Sequence, residues 1–356
     1  MNQQRLQKVL DNMKQAGLHQ LLVTETEPVY YLTGIWVSPM ERMMALYIRE
    51  DGKVTFFGNK LFAIAPQEGL EMVEHTDSDD PVAQLAAAVL PGELGIDETW
   101  PSRFLIGLMS HRPDVKPVLG SEPVAQATMY KDEEERELMR AASRIDDACI
   151  DMAIHAIREG ITEKELSSKV EHFFQEKGCD HLGFSIVAMG ANGADPHHGT
   201  DGTVLKEGDS IVMDIGAPFN HYWCDMTRTV FYKSASEEQR TVYETVRRAN
   251  EAAIAVVKPG VAFKEIDLAA RKVIEDAGYG EYFTHRTGHR IGMKEPEQPP
   301  VSSECEVIAK PGMIFSIEPG IYLPGKFGVR VEDLVLVTED GCEVLNKYPK
   351  DLIVVE

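Results

Sequence analysis

Five residues in the second half of the chain have the types and surroundings to do chemistry: Asp214, Asp225, His289, Glu318 and Glu332. Four carboxylates and one imidazole are a donor set suited to two adjacent divalent cations. Bridging carboxylates hold such a pair roughly 3.5–4 Å apart, where one shared hydroxide can attack a carbonyl. Convergence of the five would therefore imply metal-assisted hydrolysis. Any single Asp or Glu in a strand is more often an edge or solvent-facing residue than a ligand. Here four of them recur at repeat-related places inside apolar runs, where burial without a compensating cation is costly. Donor hardness favours Mn²⁺, with Co²⁺, Fe²⁺ or Zn²⁺ as alternatives, and excludes an all-sulfur or haem site.

The elements that must position these residues follow from local patterning. SIVMDIG and WCDMTRTVFY are apolar runs joined by APFNHY, a hairpin layout that can set Asp214 and Asp225 opposite each other. In GVRVEDLVLV, alternation puts Arg330 and Glu332 on one face and Val329 and Val331 on the other. FSIEPG likewise separates Ser316 and Glu318 from Phe315 and Ile317, and His289 lies between glycines in TGHRIG.

An internal repeat underlies this layout. IREGITEKELSSKVEHFFQEKG (Ile157 to Gly178) matches VKPGVAFKEIDLAARKVIEDAG (Val257 to Gly278), pairing Gly160 with Gly260, Glu165 with Glu265 and Gly178 with Gly278 at an offset of 100. Asp214 stands six residues after Gly208, and Glu318 six residues after Gly312. A period this long is not a solenoid's. It predicts a duplicated half-domain, each half being helices followed by a hairpin that contributes two carboxylates, with two sheets facing around a pseudo-twofold axis.

At 356 residues the chain is expected to form two domains. Residues 1–125 alternate helix and strand, with a hairpin turn at Asp51-Gly52, and read as a small α/β domain; Asp132 and Glu135 predict a capping box that opens the helix of the second domain, 126–356. A hydrophobic fraction of 43% with 26% charged residues suits a globular protein, and a net charge of −22 opposes nucleic-acid or anionic-membrane binding. Five scattered cysteines without a Cys-x-x-Cys point to reduced thiols in a cytoplasmic protein. The N-terminal stretch lacks a signal-peptide core, and no run reaches transmembrane length.

MDIGAPFNHYWCDMTRT, THRTGHRIG, FSIEPGIYLP and GVRVEDLVLVTEDG resemble the signatures of the pita-bread metallopeptidases, nearest to the Xaa-Pro dipeptidases (prolidases) and aminopeptidase P. The likeness runs from about Arg136 to the end, and YYLTGI resembles the creatinase-type N-terminal domain of the same proteins. It implies an α+β chain: a smaller creatinase-type α/β domain, then a catalytic pita-bread domain of two pseudo-symmetric helix-hairpin halves. It implies two divalent metals chelated by Asp214 and bridged by Asp225 and Glu332, with His289 and Glu318 completing the shell and Glu318 also handling the proton of the bridging hydroxide. His197 in NGADPHHG resembles a histidine that contacts the scissile region, with His198 a competitor that spacing to Leu205 disfavours. His285 matches a pocket histidine, and Arg330 an arginine supporting a bridging carboxylate. A turn histidine, a satisfied core histidine and a surface ion pair stay open as alternatives for His197, His285 and Arg330. The implied partners are a small peptide substrate and a second copy of the chain, in a homodimer with the N-terminal domain of one subunit near the other's active site.

Two departures matter. The resembled family has glycine after the metal-binding histidine and a second histidine seven residues beyond it; here those positions hold Arg290 and Pro296. General acid–base or oxyanion help of the kind that histidine gives is worth roughly 10²–10⁴-fold in rate. Arg290 is expected either to reach the pocket and pair with a substrate carboxylate or to bind a neighbouring Glu295 or Glu297. The leading expectation is cleavage of the bond before proline in Xaa-Pro dipeptides or short Xaa-Pro peptides. The alternatives are a non-peptidase amidohydrolase or lyase acting on a small carboxylated metabolite, and a silent binding module, against which the retained donor set argues.

Overall fold

Leu6, Val9 and Met13 recur at helical spacing and form the buried face of α1 (Gln3–Ala16) in the computed structural model, which describes residues 1–356. Asn2 caps the helix start through Gln4 N and Arg5 N, and Gly17 ends it at φ +69°. The chain continues through β1 (Gln20–Val23), α2 (Thr26–Thr33), β2 (Ala45–Arg49), β3 (Val54–Asn59) and β4 (Glu71–His75). Then come α3 (Pro81–Ala88), β5 (Gly92–Ile96), α4 (Ser102–His111), β6 (Val115–Leu119) and α5 (Glu122–Met129). The Asp51-Gly52 turn closes the expected hairpin, with Ala45 opposite Phe57. One six-stranded sheet results, in the order β4-β3-β2-β1-β5-β6. It buries Leu22, Tyr47, Phe57, Leu85, Leu94 and Leu108 in one cluster. The two edge strands escape a pattern reading because both are half exposed, β4 mixing Glu71, Glu74 and His75 with apolar residues and β6 being interrupted by Pro117.

Contacts divide the chain into two units, Met1–Met129 and Tyr130–Glu356. In the second, α6 (Glu133–Ala156) opens with the Asp132/Glu135 capping box: Glu135 N donates to Asp132 Oδ1 at 3.1 Å and Asp132 N to Glu135 Oε2 at 2.9 Å. After it come α7 (Glu163–Glu176), β7 (Phe184–Met189), β8 (Ser210–Gly216), the small hairpin β9 (Pro218–Phe219) and β10 (Tyr222–Trp223), and β11 (Met226–Tyr232). The second half is α8 (Glu237–Val256), α9 (Phe263–Asp276), β12 (Gly288–Arg290), β13 (Glu297–Val301), β14 (Ile314–Ile317), β15 (Gly320–Leu323), β16 (Phe327–Arg330), β17 (Asp333–Val337) and β18 (Cys342–Val344). The last strand, β19 (Val354–Val355), returns to pair with β11. Helices α7 and α9 begin and end 100 residues apart, and bridges at Thr162–Val204 and Ala262–Ile308 sit at matching points. Gly160 and Gly260 both turn the chain in the left-handed region, at φ +75° and +92°.

Two sheets, β19-β11-β8-β7 and β13-β12-β14-β17-β18, carry the chemistry-bearing residues. Their registers correct two expectations. Asp214 pairs across the ladder with Thr227, and Asp225 stands one residue before β11, so the two aspartates are not opposite each other. GVRVEDLVLV is not one strand either. It breaks at Val331–Glu332, because β16 pairs with β15 while β17 pairs with β14. Val329, Arg330, Val331 and Glu332 are all buried, so alternation there does not separate a wet face from a dry one.

Hydrogen bonds and an ion pair then join the two halves. Glu332 N donates to Thr227 O at 3.1 Å, Thr229 Oγ1 donates to Arg330 O at 2.9 Å, and Arg228 Nη2 pairs with Asp333 Oδ1 at 2.7 Å.

Candidate metal centre

Asp214, Asp225, His289, Glu318 and Glu332 line one cavity of about 570 Å³, together with His197, His285 and Arg330. That volume is typical of a small-molecule site. Asp214 comes from β8, Asp225 from the step into β11, His289 from β12, Glu318 from the end of β14 and Glu332 from the β16–β17 junction. The five therefore come from both halves of the repeat.

The donors are oriented by neighbours. His289 Nδ1 lies 3.0 Å from the Arg290 carbonyl, to which it donates, leaving Nε2 as the lone-pair nitrogen. That Nε2 faces Asp225 Oδ2 at 3.4 Å and Glu318 Oε1 at 3.6 Å. Ser316 Oγ donates to Glu318 Oε1 at 3.2 Å and accepts the His289 backbone N–H at 3.0 Å. Thr227 Oγ1 donates to Glu332 Oε2 at 2.7 Å.

Three observations fit a divalent metal to this set. Asp225, His289 and Glu332 offer ligand atoms all within 4.8 Å of one another. Asp214 Oδ1 is buried with no hydrogen-bond partner, which leaves one oxygen of that carboxylate open to a cation. Burial first, then Glu332, Asp214, Glu295 and Glu318, pushes the Asp225 carboxyl well above the ordinary carboxylate range; burial, Glu318 and Asp214 do the same to Glu332. Cations among these oxygens would remove that penalty.

Arg330 is 3% exposed, which removes the surface-ion-pair alternative. Its Nη2 donates to Asp214 Oδ2 at 2.5 Å, Nη1 to Tyr322 OH at 2.9 Å and Nε to Thr227 Oγ1 at 3.1 Å. It thus pairs with the expected chelating carboxylate and reaches Glu332 only through Thr227, rather than supporting a bridging carboxylate directly. Tyr322 OH in turn lies 2.8 Å from His285 Nε2, and His285 Nδ1 lies 2.7 Å from the Arg286 carbonyl. Burial holds the His285 imidazole below its ordinary pKa. A neutral ring donating from Nδ1 and accepting the tyrosine hydroxyl at Nε2 satisfies every partner, so both nitrogens are already engaged.

His197 lines the cavity and is exposed, whereas His198 does not line it. His198 Nε2 is 2.9 Å from Glu163 Oε2, and the fully buried Glu163 also accepts from Met189 N, Asn192 Nδ2 and Asp201 N. Although Glu163, His198 and Asp201 cluster closely enough to hold an ion, the Glu163 oxygens are occupied by these donors. The cluster pins the loop that carries Pro196 and His197. A substrate contact for His198 is therefore corrected to an anchoring one.

The pocket role expected of Arg290 is corrected too. Its side chain is 2% exposed and pairs through Nη2 with Glu297 Oε2 at 2.9 Å, with Nη1 directed to Gln298 O. Lys131 Nζ reaches the same Glu297 oxygen at 2.9 Å. Once in strand β12, an arginine next to an inward-facing histidine points away from the cavity.

Sequence reading missed Arg286 and Glu295, which line the cavity beside Pro296, Phe184, Ile186 and Pro196. Arg286 lies inside THRTGHRIG and Glu295 three residues after it, and charges within six residues of His289 are the signal that points to both. Arg286 is half-buried and forms no salt bridge within the protein, although its charge is felt at Glu295.

Comparison with known proteins agrees with this geometry. The model of metallopeptidase family M24 matches residues 137–339, more than half of the chain, and that of the creatinase/prolidase N-terminal domain matches residues 5–128. YkvY of Bacillus subtilis strain 168, which carries a provisional dipeptidase name, is 35% identical across 98% of this chain and 99% of its own. The crystal structure of a dipeptidase from Pyrococcus horikoshii OT3 superposes with a TM-score of 0.94 at 34% identity, over 98% of this chain and 99% of that one. A recombinant prolidase from Thermococcus sibiricus gives 0.93 at 34% identity, over 99% of both. No helix is long and apolar enough to cross a membrane. Full-length likeness at this identity, together with a match that contains all five converging donors, makes the chain a member of metallopeptidase family M24, a peptidase with the pita-bread fold behind a creatinase-type N-terminal domain.

Proposed function

We propose that the protein is a dinuclear-metal Xaa-Pro dipeptidase, with Mn²⁺ as the working metal, acting as a cytoplasmic homodimer. The observation that carries this reading is the convergence of four carboxylates and His289 on one cavity with apolar walls. Bound there, two divalent ions would supply a nucleophilic water that ionises near neutral pH and an electrophile for the scissile carbonyl.

The chain's own residues do the rest. Phe184, Ile186, Pro196 and Pro296 offer apolar surface against which a pyrrolidine ring can be buried. A bond to proline is a tertiary amide without N–H, so recognition rests on that wall rather than on a backbone acceptor. Arg286 is the cavity cation not already paired within the protein, and its fork suits the free carboxylate of a dipeptide. His197 stands at the rim, placed to donate a hydrogen bond to the substrate carbonyl. Glu318, oriented by Ser316 Oγ, takes the water proton and returns it to the proline nitrogen, so that hydroxyl goes to the carbonyl carbon and hydrogen to the leaving amine.

The comparisons favour a peptidase over an amidohydrolase or lyase of the same fold. Metal-free protein reloaded with Mn²⁺ should release free proline from Xaa-Pro dipeptides and leave Xaa-Pro-Yaa peptides largely uncut. Arg286→Ala should raise KM for dipeptides about 10–100-fold, as loss of a charge-assisted pair predicts. Efficient cleavage of longer peptides with an unchanged Arg286→Ala KM would refute the dipeptidase reading. Light scattering that gave a monomer mass would remove the homodimer.

A further inference from the structure

We propose that Glu295 is a sixth protein donor of the metal centre, bound to the ion that His289 holds; the inference rests on the dinuclear reading above. Glu295 Oε1 lies 3.5 Å from His289 Nε2, between the distances of Asp225 Oδ2 (3.4 Å) and Glu318 Oε1 (3.6 Å). All three exceed a good N–H···O hydrogen bond. With Nδ1 donating to the Arg290 carbonyl, the nitrogen facing these oxygens carries a lone pair. A lone pair ringed by three carboxylate oxygens is repulsive unless a cation, or protons held in its place, stand among them. Two donors sharing an ion at about 2.1 Å lie about 3.0 Å apart at a right angle and about 3.4 Å apart at the tetrahedral angle. By its separation from His289, Glu295 belongs with the two expected ligands.

The loop carrying Glu295 is held from below. Trp223 N donates to Gly292 O at 2.9 Å, and Gly292 N to Lys294 O at 3.2 Å. Glu297, two residues on, accepts from both Arg290 and Lys131, whose side chain is 1% exposed. A Cβ on Gly292 would come within 2.6 Å of Glu297 Oε1 and 2.7 Å of Lys131 Nζ, so only glycine lets the buried ion pair close under the loop. Arg290 is therefore a positioning residue: it grips the base of the segment that delivers Glu295. The chain thus sets a carboxylate directly before Pro296, which itself stands where the resembled family has a histidine. The donor set gains a fifth negative charge, which strengthens its hold on a hard dication. Arg286, in the same cavity, partly offsets that charge.

The test is metal binding rather than turnover. Wild type, Glu295→Gln, Glu295→Ala, Glu295→Asp and His289→Ala are stripped with chelator and titrated with Mn²⁺ by calorimetry. Bound metal is counted after desalting, and circular dichroism of the metal-free proteins checks the fold. Wild type should bind two ions and His289→Ala should lose one. Glu295→Gln and Glu295→Ala should weaken one step by at least the roughly 10–100-fold that loss of an outer-shell partner costs, with Glu295→Asp in between. If Glu295→Gln and Glu295→Ala fold and bind two Mn²⁺ within twofold of wild type while His289→Ala loses an ion, Glu295 is not a ligand and the dinuclear reading stands. If wild type does not bind two ions, the dinuclear reading falls and Glu295 falls with it; if His289→Ala binds two ions undiminished, His289 holds neither ion and the assignment of Glu295 beside it is overturned.

Discussion

Replacing Arg330 by methionine should destabilise the metal-free protein yet tighten its grip on metal. The guanidinium is the compensating charge for Asp214, whose side chain is 15% exposed and whose Oδ1 has no protein partner. Breaking a buried ion pair from one side costs about 3–5 kcal/mol; partial exposure of Asp214 places this case near 3. Thr227 and Tyr322 keep Glu332 and His285 as partners, so their loss is small. In the metal-loaded protein a dication compensates Asp214 instead. The penalty then shrinks to the hydrogen bonds to neutral partners, about 1 kcal/mol. By the thermodynamic cycle, the difference of about 2 kcal/mol reappears as metal affinity, roughly 30-fold tighter. For a unit the size of Tyr130–Glu356, about 2–4 °C per kcal/mol converts the metal-free loss to a drop of about 6–12 °C in Tm, against about 2–4 °C when loaded. Thermal melts with chelator and with excess Mn²⁺, and Mn²⁺ titration calorimetry, measure both sides of the cycle. Weaker Mn²⁺ binding by Arg330→Met, or equal Tm losses in both states, would refute the view that Arg330 and metal compete to neutralise Asp214.

Two further outcomes follow from the same geometry. Burial and neighbouring carboxylates raise the pKa values of Asp225 and Glu332, and burial with Asp214 and Glu318 raises that of Glu295. The metal-free fold therefore holds more protons than the unfolded chain above about pH 4, and it loses stability as the pH climbs through that window toward the raised folded values. Mn²⁺ binding must expel those protons, so the Mn²⁺-induced rise in Tm should be larger at pH 8 than at pH 5.5, with proton release seen as a buffer-dependent binding enthalpy. A Tm increment independent of pH would contradict the raised carboxyls. Pro296→His should increase kcat on Xaa-Pro dipeptides by about 10²-fold if an imidazole is what the cavity lacks; an unchanged kcat in a variant that still binds two Mn²⁺ would show that another group already fills that place.

The donors were legible in the sequence because each interrupts an apolar run, where a carboxylate needs a reason to be present. The duplication was legible because Gly160 and Gly260, and Gly178 and Gly278, serve the same left-handed turns. What could not be read was direction. Arg290 and Arg286 both flank His289, yet the pleat of β12 turns Arg290 away into an ion pair with Glu297, while Arg286, two residues before that strand, lines the cavity. His197 and His198 are likewise adjacent, and the acceptor that separates them, Glu163, begins a helix 35 residues away from His198. The sequence offers Glu295 only as a partner for Arg290, because its approach to His289 depends on a loop anchored through Lys131, which lies 166 residues from Glu297. Such choices are made by long-range partners, and periodicity carries no information about them.

The placement of the donors also explains how a duplicated hairpin becomes a metal site. Asp225 stands one residue before β11, Glu318 one residue after β14 and Glu332 one residue before β17. At these positions the ladders have ended, so the backbone N–H groups need other acceptors. Glu318 N finds Thr287 O at 2.8 Å, just before β12 in its own sheet, whereas Glu332 N finds Thr227 O at 3.1 Å, in β11 of the other sheet. The Glu332 hydrogen bond, which would have lengthened the β14–β17 hairpin, instead ties the halves together, and the side chains at these junctions line a common cavity. A mutation that extended β14 or β17 by one ladder pair would therefore weaken the tie between the sheets and swing a carboxylate out of the cavity at once. Fold and metal site should fail together here, which is why metal affinity reports on the integrity of this junction more directly than turnover does.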